Sequence, residues 1–496
     1  MESPGGAGMG SHWLELVKTS KIEHPTSNIQ SPRCEQSSDV GCWMLDVGCW
    51  MFPRTRRRAP PLLLQILLTT LALCLAGWSA HAAEAKVFDV RQYGAKGDGQ
   101  TLDTRAIQAA LDACGQAGGG EVRVPSGTYL SRPIRIHSRT TLLLEEGATL
   151  KATDDPKDYL PPSVTWDDIL AGRSKGPFTH FLSGKKLTDV TIPGKGTIDG
   201  SGARWWEPAE EARRKVSGFT LPRPDLVRIA GCKHLKVSGV TLKNSPKFHL
   251  VPEDCEDVVI EGVTILAPAG AANTDAIDPS LCRRVTITKC MIDVGDDSVA
   301  IKSGKALPGR EFGCEDITIT DCVFKHGHGV SIGSETAGGV RHVTVRHCQF
   351  EGTENGLRIK TARGKGGRVE KIVYEDITMK DVVGAITITT YYPKIPASDA
   401  AQPVTALTPQ YRDIRIANLK ATSVKAAGVI VGLPESRVQS VVLENVQITA
   451  ATTGLTIRNA SGVRLKDVRV TAKEGPPFIV KDAQVEGLAE AQKQSE

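Results

Sequence analysis

One short pattern recurs nine times between residue 235 and the C-terminal region. Each copy reads apolar, any, apolar, two polar or small residues, apolar, any, apolar. The copies begin at Leu235, Val258, Val285, Ile317, Val343, Ile372, Ile414, Val441 and Val463. Period-two alternation on both sides of a polar pair indicates two short strands joined by a tight bend, whereas a helical repeat would need a period of 3.6. The sequence therefore predicts an all-β fold, a right-handed parallel β-helix whose coils stack about 4.8 Å apart.

The length of the chain agrees with a repeat architecture. At 496 residues the chain exceeds one ordinary compact domain, but stacked coils let a single core grow along one axis. Charged residues make up 24%, hydrophobic residues 40%, and the net charge is +5. These values exclude a largely disordered chain and a strongly basic nucleic-acid binder, so we expect no nucleic-acid partner.

The first 82 residues do not belong to the predicted fold. Residues 51–82 have the pattern of a signal peptide: arginines at 54 and 56–58, an apolar run from Leu62 to Gly77, and Ala80-His81-Ala82 as a cleavage site. The apolar run is too short to span a membrane, so we expect no membrane anchor after cleavage. Residues 1–50 contain a direct repeat and precede the signal, which indicates a non-native extension with Met51 as the true start. The mature protein is therefore predicted to be secreted or periplasmic.

The predicted β-helix domain covers residues 83–472. Residues 103–114 form an apolar-periodic helix with Ile107, Ala110 and Leu111 on one face, and we expect it to cap the first coil and shield an open strand edge. Strands are predicted at 121–124 and 141–144. The remaining residues, 473–496, are charged and poorly patterned, and are predicted to form a C-terminal tail. A long β-helix of this kind is expected to be a monomer.

Seven of the eight cysteines after residue 82 fall in two columns of the repeat. The columns contain Cys290, Cys322 and Cys348, and Cys232, Cys255, Cys282 and Cys314. A metal site is excluded because no Cys-x-x-Cys pair occurs. Disulfides are permitted in an oxidising compartment, but the same columns hold Val and Ile in other coils. We therefore predict buried free thiols that serve as small apolar side chains.

Polar residues cluster in four consecutive coils between residues 258 and 372. The clusters are Asn273-Thr274-Asp275, Gly295-Asp296-Asp297, Gly327-His328-Gly329 and Arg358-Ile359-Lys360. Asp296 and His328 stand at the same offset from their motif starts, so they are predicted to be neighbours on adjacent coils. Taken singly, the acidic pair would be a solvated turn or half a calcium site, the histidine a turn residue, and the cations a solvated edge. Their common register favours one functional cleft.

These four clusters, in this order, resemble the signatures of glycoside hydrolase family 28, the polygalacturonases and their relatives. The resemblance runs from about Val87 to Ala472, and Asp278-Pro279 with Ile301-Lys302-Ser303-Gly304 favours the bacterial branch. Ser298 is a departure, since relatives often carry Cys after the acidic pair. The family implies an inverting hydrolase of α-1,4-galacturonan that needs no cofactor and no metal.

The resemblance also implies roles for individual residues. Asp296 would be the general acid, Asp275 and Asp297 would position and deprotonate water, and His328 would support Asp296. Arg358 and Lys360 would bind a substrate carboxylate by charge-assisted hydrogen bonds. Asn273 would bind substrate, the alternative being an Asx-turn, and Tyr391, or Tyr392 beside it, would stack on a sugar. An inverting enzyme holds its two carboxyl groups about 6.5–9.5 Å apart to admit water.

Other functions remain open on sequence alone. A rhamnogalacturonan or xylogalacturonan hydrolase is the nearest alternative within the family. A β-helix polysaccharide lyase would need calcium and a basic residue, and a non-catalytic glycan-binding module would not need its aspartates. Action on chain ends is slightly favoured over internal cleavage, and this depends on how loops 153–180, 302–314 and 393–410 close the cleft.

Overall fold

The computed structural model describes residues 86–215 and 220–495. The predicted N-terminal extension (1–50) and signal peptide (51–82) lie outside these residues. Within the described ranges, no helix combines the length and the apolar character needed to cross a membrane.

Parallel strands stack in three columns along one axis, which confirms the predicted right-handed parallel β-helix. Sheet 1 contains β1 (Val87–Asp89), β3 (Gly120–Val124), β6 (Thr140–Leu144), β9 (Thr188–Pro193), β12 (Lys233–Ser238), β15 (Glu256–Glu261), β17 (Arg283–Thr288), β20 (Cys314–Thr320) and β23 (Val340–Arg346). Sheet 2 contains β2 (Asp98–Leu102), β4 (Gly127–Ser131), β7 (Ala148–Ala152), β10 (Thr197–Asp199), β13 (Thr241–Lys243), β16 (Thr264–Leu266), β18 (Met291–Asp293), β21 (Val323–Lys325) and β24 (Gln349–Glu351).

Sheet 3 and the last coils complete the stack. Sheet 3 contains β5 (Ile134–Arg135), β8 (Leu182–Lys185), β11 (Val227–Ala230), β14 (Leu250–Glu253), β19 (Val299–Ile301), β22 (Val330–Ile332) and β25 (Asn355–Lys360). The last coils are formed by β26 (Arg368–Thr389), β27 (Gln410–Val431), β28 (Val438–Ala450), β29 (Leu455–Ala472) and β30 (Phe478–Glu486). Four α-helices are described: α1 (Thr104–Gln116), α2 (Trp166–Leu170), α3 (Ala203–Lys215) and α4 (Leu488–Ser495).

The repeated motif sets the register of the stack. Leu235 pairs with Val258, which pairs with Val285, and the same column continues through later motif starts. These side chains point inward and are buried. The polar pairs form the predicted bends, where Asp321, Asp376 and Asn445 have φ values of 57°, 55° and 50°. Asn and Asp tolerate this left-handed conformation better than most residues do.

The cysteines behave as predicted. The eight cysteines of the described residues are all free and buried. Cys290, Cys322 and Cys348 stack inside the core at the ends of neighbouring strands, in the column that Val and Ile occupy elsewhere.

The predicted cap on the first coil is confirmed. Helix α1 buries Ile107, Ala110, Leu111 and Cys114 against the hydrophobic core. Strands β3 and β6 cover the predicted ranges 121–124 and 141–144 and extend one residue before each.

The structure differs from the predicted C-terminal boundary at residue 472. Strand β30 pairs in parallel with β29, so the stack continues into the predicted tail. Helix α4 follows, with Ala491 buried and the Ser495 hydroxyl accepting a hydrogen bond from the Val470 backbone N–H at 2.9 Å. Without these elements the last coil would present an open strand edge to solvent, which is unfavourable. The exposed charged residues of β30 hide its alternation in the sequence.

Sheet 3 positions the polar clusters. Leu250 of β14 bridges to Ile277, which bridges to Val299 of β19, and β19, β22 and β25 pair in order. Asp275 lies two residues before Ile277, Asp297 lies two residues before the start of β19, and His328 lies two residues before the start of β22. Arg358 and Lys360 are on β25 itself. The outer side of sheet 3 therefore brings all four clusters together.

Candidate active site

Three aspartates occupy the centre of this outer surface, and all are largely withdrawn from solvent. Asp275 and Asp297 are each 3% exposed and Asp296 is 8% exposed. Buried carboxylates need charged or hydrogen-bonding partners because burial disfavours their ionised form. Each aspartate has a different set of partners, and these sets distinguish their chemistry.

Asp296 is paired with His328, as its position in the repeat predicts. His328 Nδ1 lies 2.8 Å from Asp296 Oδ1, and His328 Nε2 lies 2.8 Å from Glu354 Oε2. Burial lowers the pKa of His328, but hydrogen bonds to the two carboxylates outweigh it and raise that pKa to about 10. The same contact works in reverse on Asp296: burial favours its neutral form, but His328 and the charges of Lys360 and Lys302 lower its pKa overall.

Asp297 is held by the cationic pair. Lys360 Nζ donates to Asp297 Oδ2 at 2.7 Å, and Arg358 Nη1 donates to Asp297 Oδ1 at 3.3 Å. The Ser331 hydroxyl donates to Asp297 Oδ1 at 2.7 Å. Arg358 and Lys360 alternate on β25, so both point to the outer side while Ile359 points into the core. Two buried cations beside carboxylates form a site suited to an anionic ligand.

Asp275 shares one cation, Lys302, with Asp278, and the sequence analysis assigned neither Lys302 nor Asp278 to the site. Lys302 Nζ lies 3.0 Å from Asp275 Oδ2 and also contacts Asp278 Oδ2. Burial raises the pKa of Asp275 well above its ordinary value, nearby Asp278 and Asp296 add to this, and Lys302 only partly opposes it. Burial likewise raises the pKa of Asp278 to about 6. Asp275 is thus the carboxyl group of the site that most readily keeps a proton.

Asp278 and Lys302 were visible in the sequence only as features typical of a family branch. Asp278 lies one residue after Ile277, and Lys302 lies one residue after β19, so both follow strand positions of sheet 3. Their place on the same strand column as Arg358 and Lys360 is the signal that could have identified them.

Asn273 faces Asp296 and is held by Arg223, another residue that the sequence analysis did not assign to the site. Asn273 Nδ2 donates to Asp296 Oδ2 at 3.4 Å, while its Oδ1 accepts from Arg223 Nη2 at 2.8 Å. Arg223 Nη1 also donates to the carbonyl oxygens of Pro246 and Ala272, at 2.9 and 3.0 Å. Arg223 is 3% exposed and belongs to the long segment between β10 and β11, so no repeat position in the sequence indicated it.

The tyrosine assignment requires a correction. Tyr391 turns away from the aspartates, packs with Val431 and Leu433, and donates through its hydroxyl to Asp399 Oδ2 at 2.8 Å. Tyr392 instead lies beside the cationic pair, with its ring centroid 5.2 Å from Lys360 Nζ and 5.6 Å from Arg358 Cζ. The chain turns just after β26, which sends consecutive side chains to opposite sides.

Two groups of described side chains bring three possible metal ligands within 4.8 Å of one another. They are Asp296 with Asp297 and His328, and Glu315 with Asp316 and His342. In the first group Asp297 faces Arg358 and Lys360, which would repel a bound cation. The second group is mostly exposed and lies outside the aspartate cluster. The prediction that no metal is needed stays a prediction.

Comparisons with known proteins agree with this arrangement. The sequence profile described as glycosyl hydrolases family 28 matches residues 114–471. A probable polygalacturonase of Vitis vinifera is 33% identical over 387 residues, which cover 75% of this chain and 76% of the relative. An endo-polygalacturonase of Pectobacterium carotovorum subsp. carotovorum is 35% identical over 371 residues, covering 72% and 87%.

A solved structure is similar along most of its length. The exopolygalacturonase of Thermotoga maritima superposes with a TM-score of 0.64 at 28% identity, covering 81% of this chain and 92% of that chain. The similar proteins come from plants and from bacteria, so these comparisons do not separate a bacterial branch from the rest of the family.

Proposed function

This chain belongs to glycosyl hydrolases family 28 and is a glycosidase, and we propose that it hydrolyses the α-1,4 linkages between galacturonate units of pectin by inverting acid–base catalysis. The observation that carries this proposal is the buried pair of Arg358 and Lys360 beside the aspartates. A neutral sugar would not compensate two desolvated cations, whereas a uronate carboxylate would. The polygalacturonase names of the relatives support the same substrate.

In the proposed reaction, water attacks the anomeric carbon from the face opposite to the leaving sugar. Asp297 accepts one proton of that water while the C–O bond to the leaving sugar breaks, and Asp275, whose raised pKa lets it keep a proton, positions the water by a hydrogen bond. Asp296 gives one proton to the oxygen of the leaving sugar, so each product carries a neutral hydroxyl group where the bond was cleaved. Water supplies the new hydroxyl, and no electrons are exchanged with another molecule.

The proton that Asp296 donates is held jointly with His328. His328 keeps its proton up to high pH, and its Nδ1 is in hydrogen-bonding contact with the Asp296 carboxylate. As negative charge develops on the leaving oxygen, this proton can pass from His328 to Asp296 and Asp296 can protonate the oxygen. Glu354, on the other side of His328, stabilises the histidinium until that moment.

We further propose that the enzyme acts on chain ends. The segments between β7 and β8 and between β10 and β11 form a wall on the earlier-coil side of the cleft, where Trp205 packs edge-on against Tyr159, Trp166 and Phe178. Ala272, next to Asn273, is buried in the same wall with Leu160, Ile169, Ala209 and Leu221. A wall in direct contact with the loop that carries Asn273 favours a closed end of the cleft over an open groove.

The remaining assignments rest on the sequence. The signal-like segment 51–82 supports a secreted or periplasmic enzyme, the long β-helix supports a monomer, and Asp278 with Lys302 supports placement in the bacterial branch. Both residues contact Asp275 or one another in the site, so this feature bears on chemistry as well as on ancestry.

Chromatography of the products from a polygalacturonate digest tests the proposal. We expect saturated monogalacturonate as the sole early product. A ladder of saturated oligomers would contradict action on chain ends but keep the hydrolase, whereas unsaturated products would mean a lyase. Preferential cleavage of a rhamnogalacturonan or xylogalacturonan backbone would show that one of these polysaccharides, and not polygalacturonate, is the substrate.

A further inference from the structure

One more cation, Lys247, lies near the aspartates and takes no part in the site described above. Its Nζ is 4.1 Å from the centroid of the Phe248 ring, and the same ring lies 3.9 Å from Lys302 Nζ. Lys302 contacts two carboxylates, Asp275 and Asp278. Within residues 86–215 and 220–495, the Lys247 ammonium has no ion-pair or hydrogen-bond partner of its own.

Lys247 is only partly exposed to solvent, and an ammonium group without a partner is unusual in such a place. Burial lowers the pKa of Lys247, an effect that Asp225 only partly opposes and that the charge of Lys302 increases. Charged groups withdrawn from water are normally paired, because desolvation disfavours the ion when no opposite charge compensates it. An anionic ligand would supply this compensation, as Asp297 does for Lys360.

The position of Lys247 along the stack indicates which part of a substrate it would meet. Lys247 lies three residues before Leu250, and Asp296 lies three residues before Val299, two coils later in the same strand column. Arg358 and Lys360 lie two further coils along, on β25. Four coil steps of about 4.8 Å separate the backbone at Lys247 from that at β25 by about 19 Å. Cations therefore flank the aspartates on both sides of the catalytic centre.

We propose that Lys247 binds the carboxylate of the galacturonate unit on the earlier-coil side of the cleaved bond, opposite the unit held by Arg358 and Lys360. This inference rests on the proposed function and adds to it a substrate class. An enzyme with a carboxylate site on each side of the bond requires uronate on each side. It would select a continuous galacturonate chain over a backbone in which uronate alternates with a neutral sugar.

Binding of hexagalacturonate to the full-length Asp296→Asn protein, measured by calorimetry, tests this site without hydrolysis. Adding Lys247→Met should weaken binding by roughly 10- to 100-fold, the usual range for loss of a hydrogen bond to a charged group. Lys247→Arg should restore most of it. The methyl-esterified hexamer should bind more weakly to the Asp296→Asn protein and should not respond to Lys247→Met, because it has no carboxylate to lose.

Two further variants make the result interpretable. Lys236→Met is the matched control, because Lys236 lies on β12, in sheet 1 of the same coil, is about half exposed, and faces Glu261 at 3.8 Å; it should leave binding unchanged. Lys247→Gln provides a second neutral side chain should the methionine variant melt early. Unchanged hexagalacturonate binding in both neutral variants, or equal weakening of the methyl ester, would overturn the inference.

The outcome is separable from the test of the proposed function. Wild-type hydrolysis of polygalacturonate together with Lys247-independent binding would overturn this inference and leave the hydrolase intact. Lys247-dependent binding without any hydrolysis by the wild type would overturn the proposed function and leave the carboxylate site. Absence of hexagalacturonate binding in every variant would overturn this inference, and the products formed by the wild type would decide the proposed function on their own.

Discussion

Strand β25 contains two kinds of buried residue, and they differ in what their burial achieves. All six of its residues are buried. Leu357 and Ile359 point into the core of the β-helix, while Arg358 and Lys360 point outward against Asp297. Because successive side chains of a strand point to opposite faces, the same strand supplies residues to the core and to the site.

The inner and outer sides follow different rules. Along the inner columns Val, Ile, Leu and Cys replace one another from coil to coil, because any apolar side chain of similar volume fills the position. On the outer side of sheet 3 Asp296, Asp297 and Lys302 each contact particular charged partners, and removing one partner leaves the other buried and uncompensated. The core therefore supplies stability in many interchangeable parts, whereas the site depends on particular pairs.

The strongest test of this contrast is Asp296→Asn. Loss of a general acid is expected to lower kcat by about 10²- to 10⁴-fold in a protein that still folds, with a lower melting temperature because buried His328 loses its charged partner. Asp293→Asn is the matched control, because Asp293 lies on the same coil and also faces a histidine, His326, at 2.7 Å. If both variants lost activity equally, the role of Asp296 would be structural.

The two sides of β25 can be compared directly with adjacent substitutions. Ile359→Ala should lower the free energy of unfolding by about 2–5 kcal/mol through the cavity it leaves, with kcat and KM unchanged well below the melting temperature. Arg358→Gln should do the reverse, raising KM for polygalacturonate about 10- to 100-fold with a smaller change in stability. Chemical denaturation and steady-state kinetics on both proteins measure the pair. A large loss of stability in Arg358→Gln would show that the outer cations also hold the coil together.

The repeat explains why the stacking of the coils and the contact between Asp296 and His328 could be predicted from the sequence. The nine motif starts align in one paired column, and the equal offsets of Asp296 and His328 correspond to a contact of 2.8 Å. In a β-helix, sequence offset converts directly into spatial neighbourhood because each coil stacks on the last. The other two signatures, at 273–275 and 358–360, follow the same strand column.

What the sequence could not predict lies where the repeat is interrupted. Arg223 reaches Asn273 from a long insertion whose packing depends on tertiary contacts. Lys302 and Asp278 follow the strand column, but pairing between two charged residues 24 positions apart has no local signature. Tyr391 and Tyr392 are adjacent, so their side chains point to opposite sides of the backbone. Which of the two faces the site depends on the conformation of the turn, because a shift of one residue exchanges the two sides.

The ion pair of His328 predicts a specific pH dependence. The pKa of His328 is raised from 6.5 in the unfolded chain to about 10 in the folded protein, so the folded state binds this proton more tightly. The stabilisation from this proton is complete below about pH 6.5 and is lost as the pH rises toward 10. The melting-temperature advantage of the wild type over His328→Gln should therefore shrink across this range.

The matched control for this measurement is His347→Gln, because His347 is about half exposed and lies 3.3 Å from Asp376. Its difference from the wild type should be small and nearly constant with pH. A constant difference for His328→Gln as well would mean that His328 is neutral in the folded protein, and the shared proton proposed for Asp296 would have no source.

The smallest effect is expected on the inner side, at the cysteine column. Cys322 is buried between Cys290 and Cys348, in a column where other coils carry Val or Ile. Cys322→Val should change the free energy of unfolding by less than about 1.5 kcal/mol and leave kinetics unchanged. Adding reductant to the wild type should not move its melting temperature, because free thiols have no bond to lose. Destabilisation by reductant, on the order of 2–4 kcal/mol for a lost disulfide, would mean that this column is cross-linked and that interchangeable apolar packing does not account for the core.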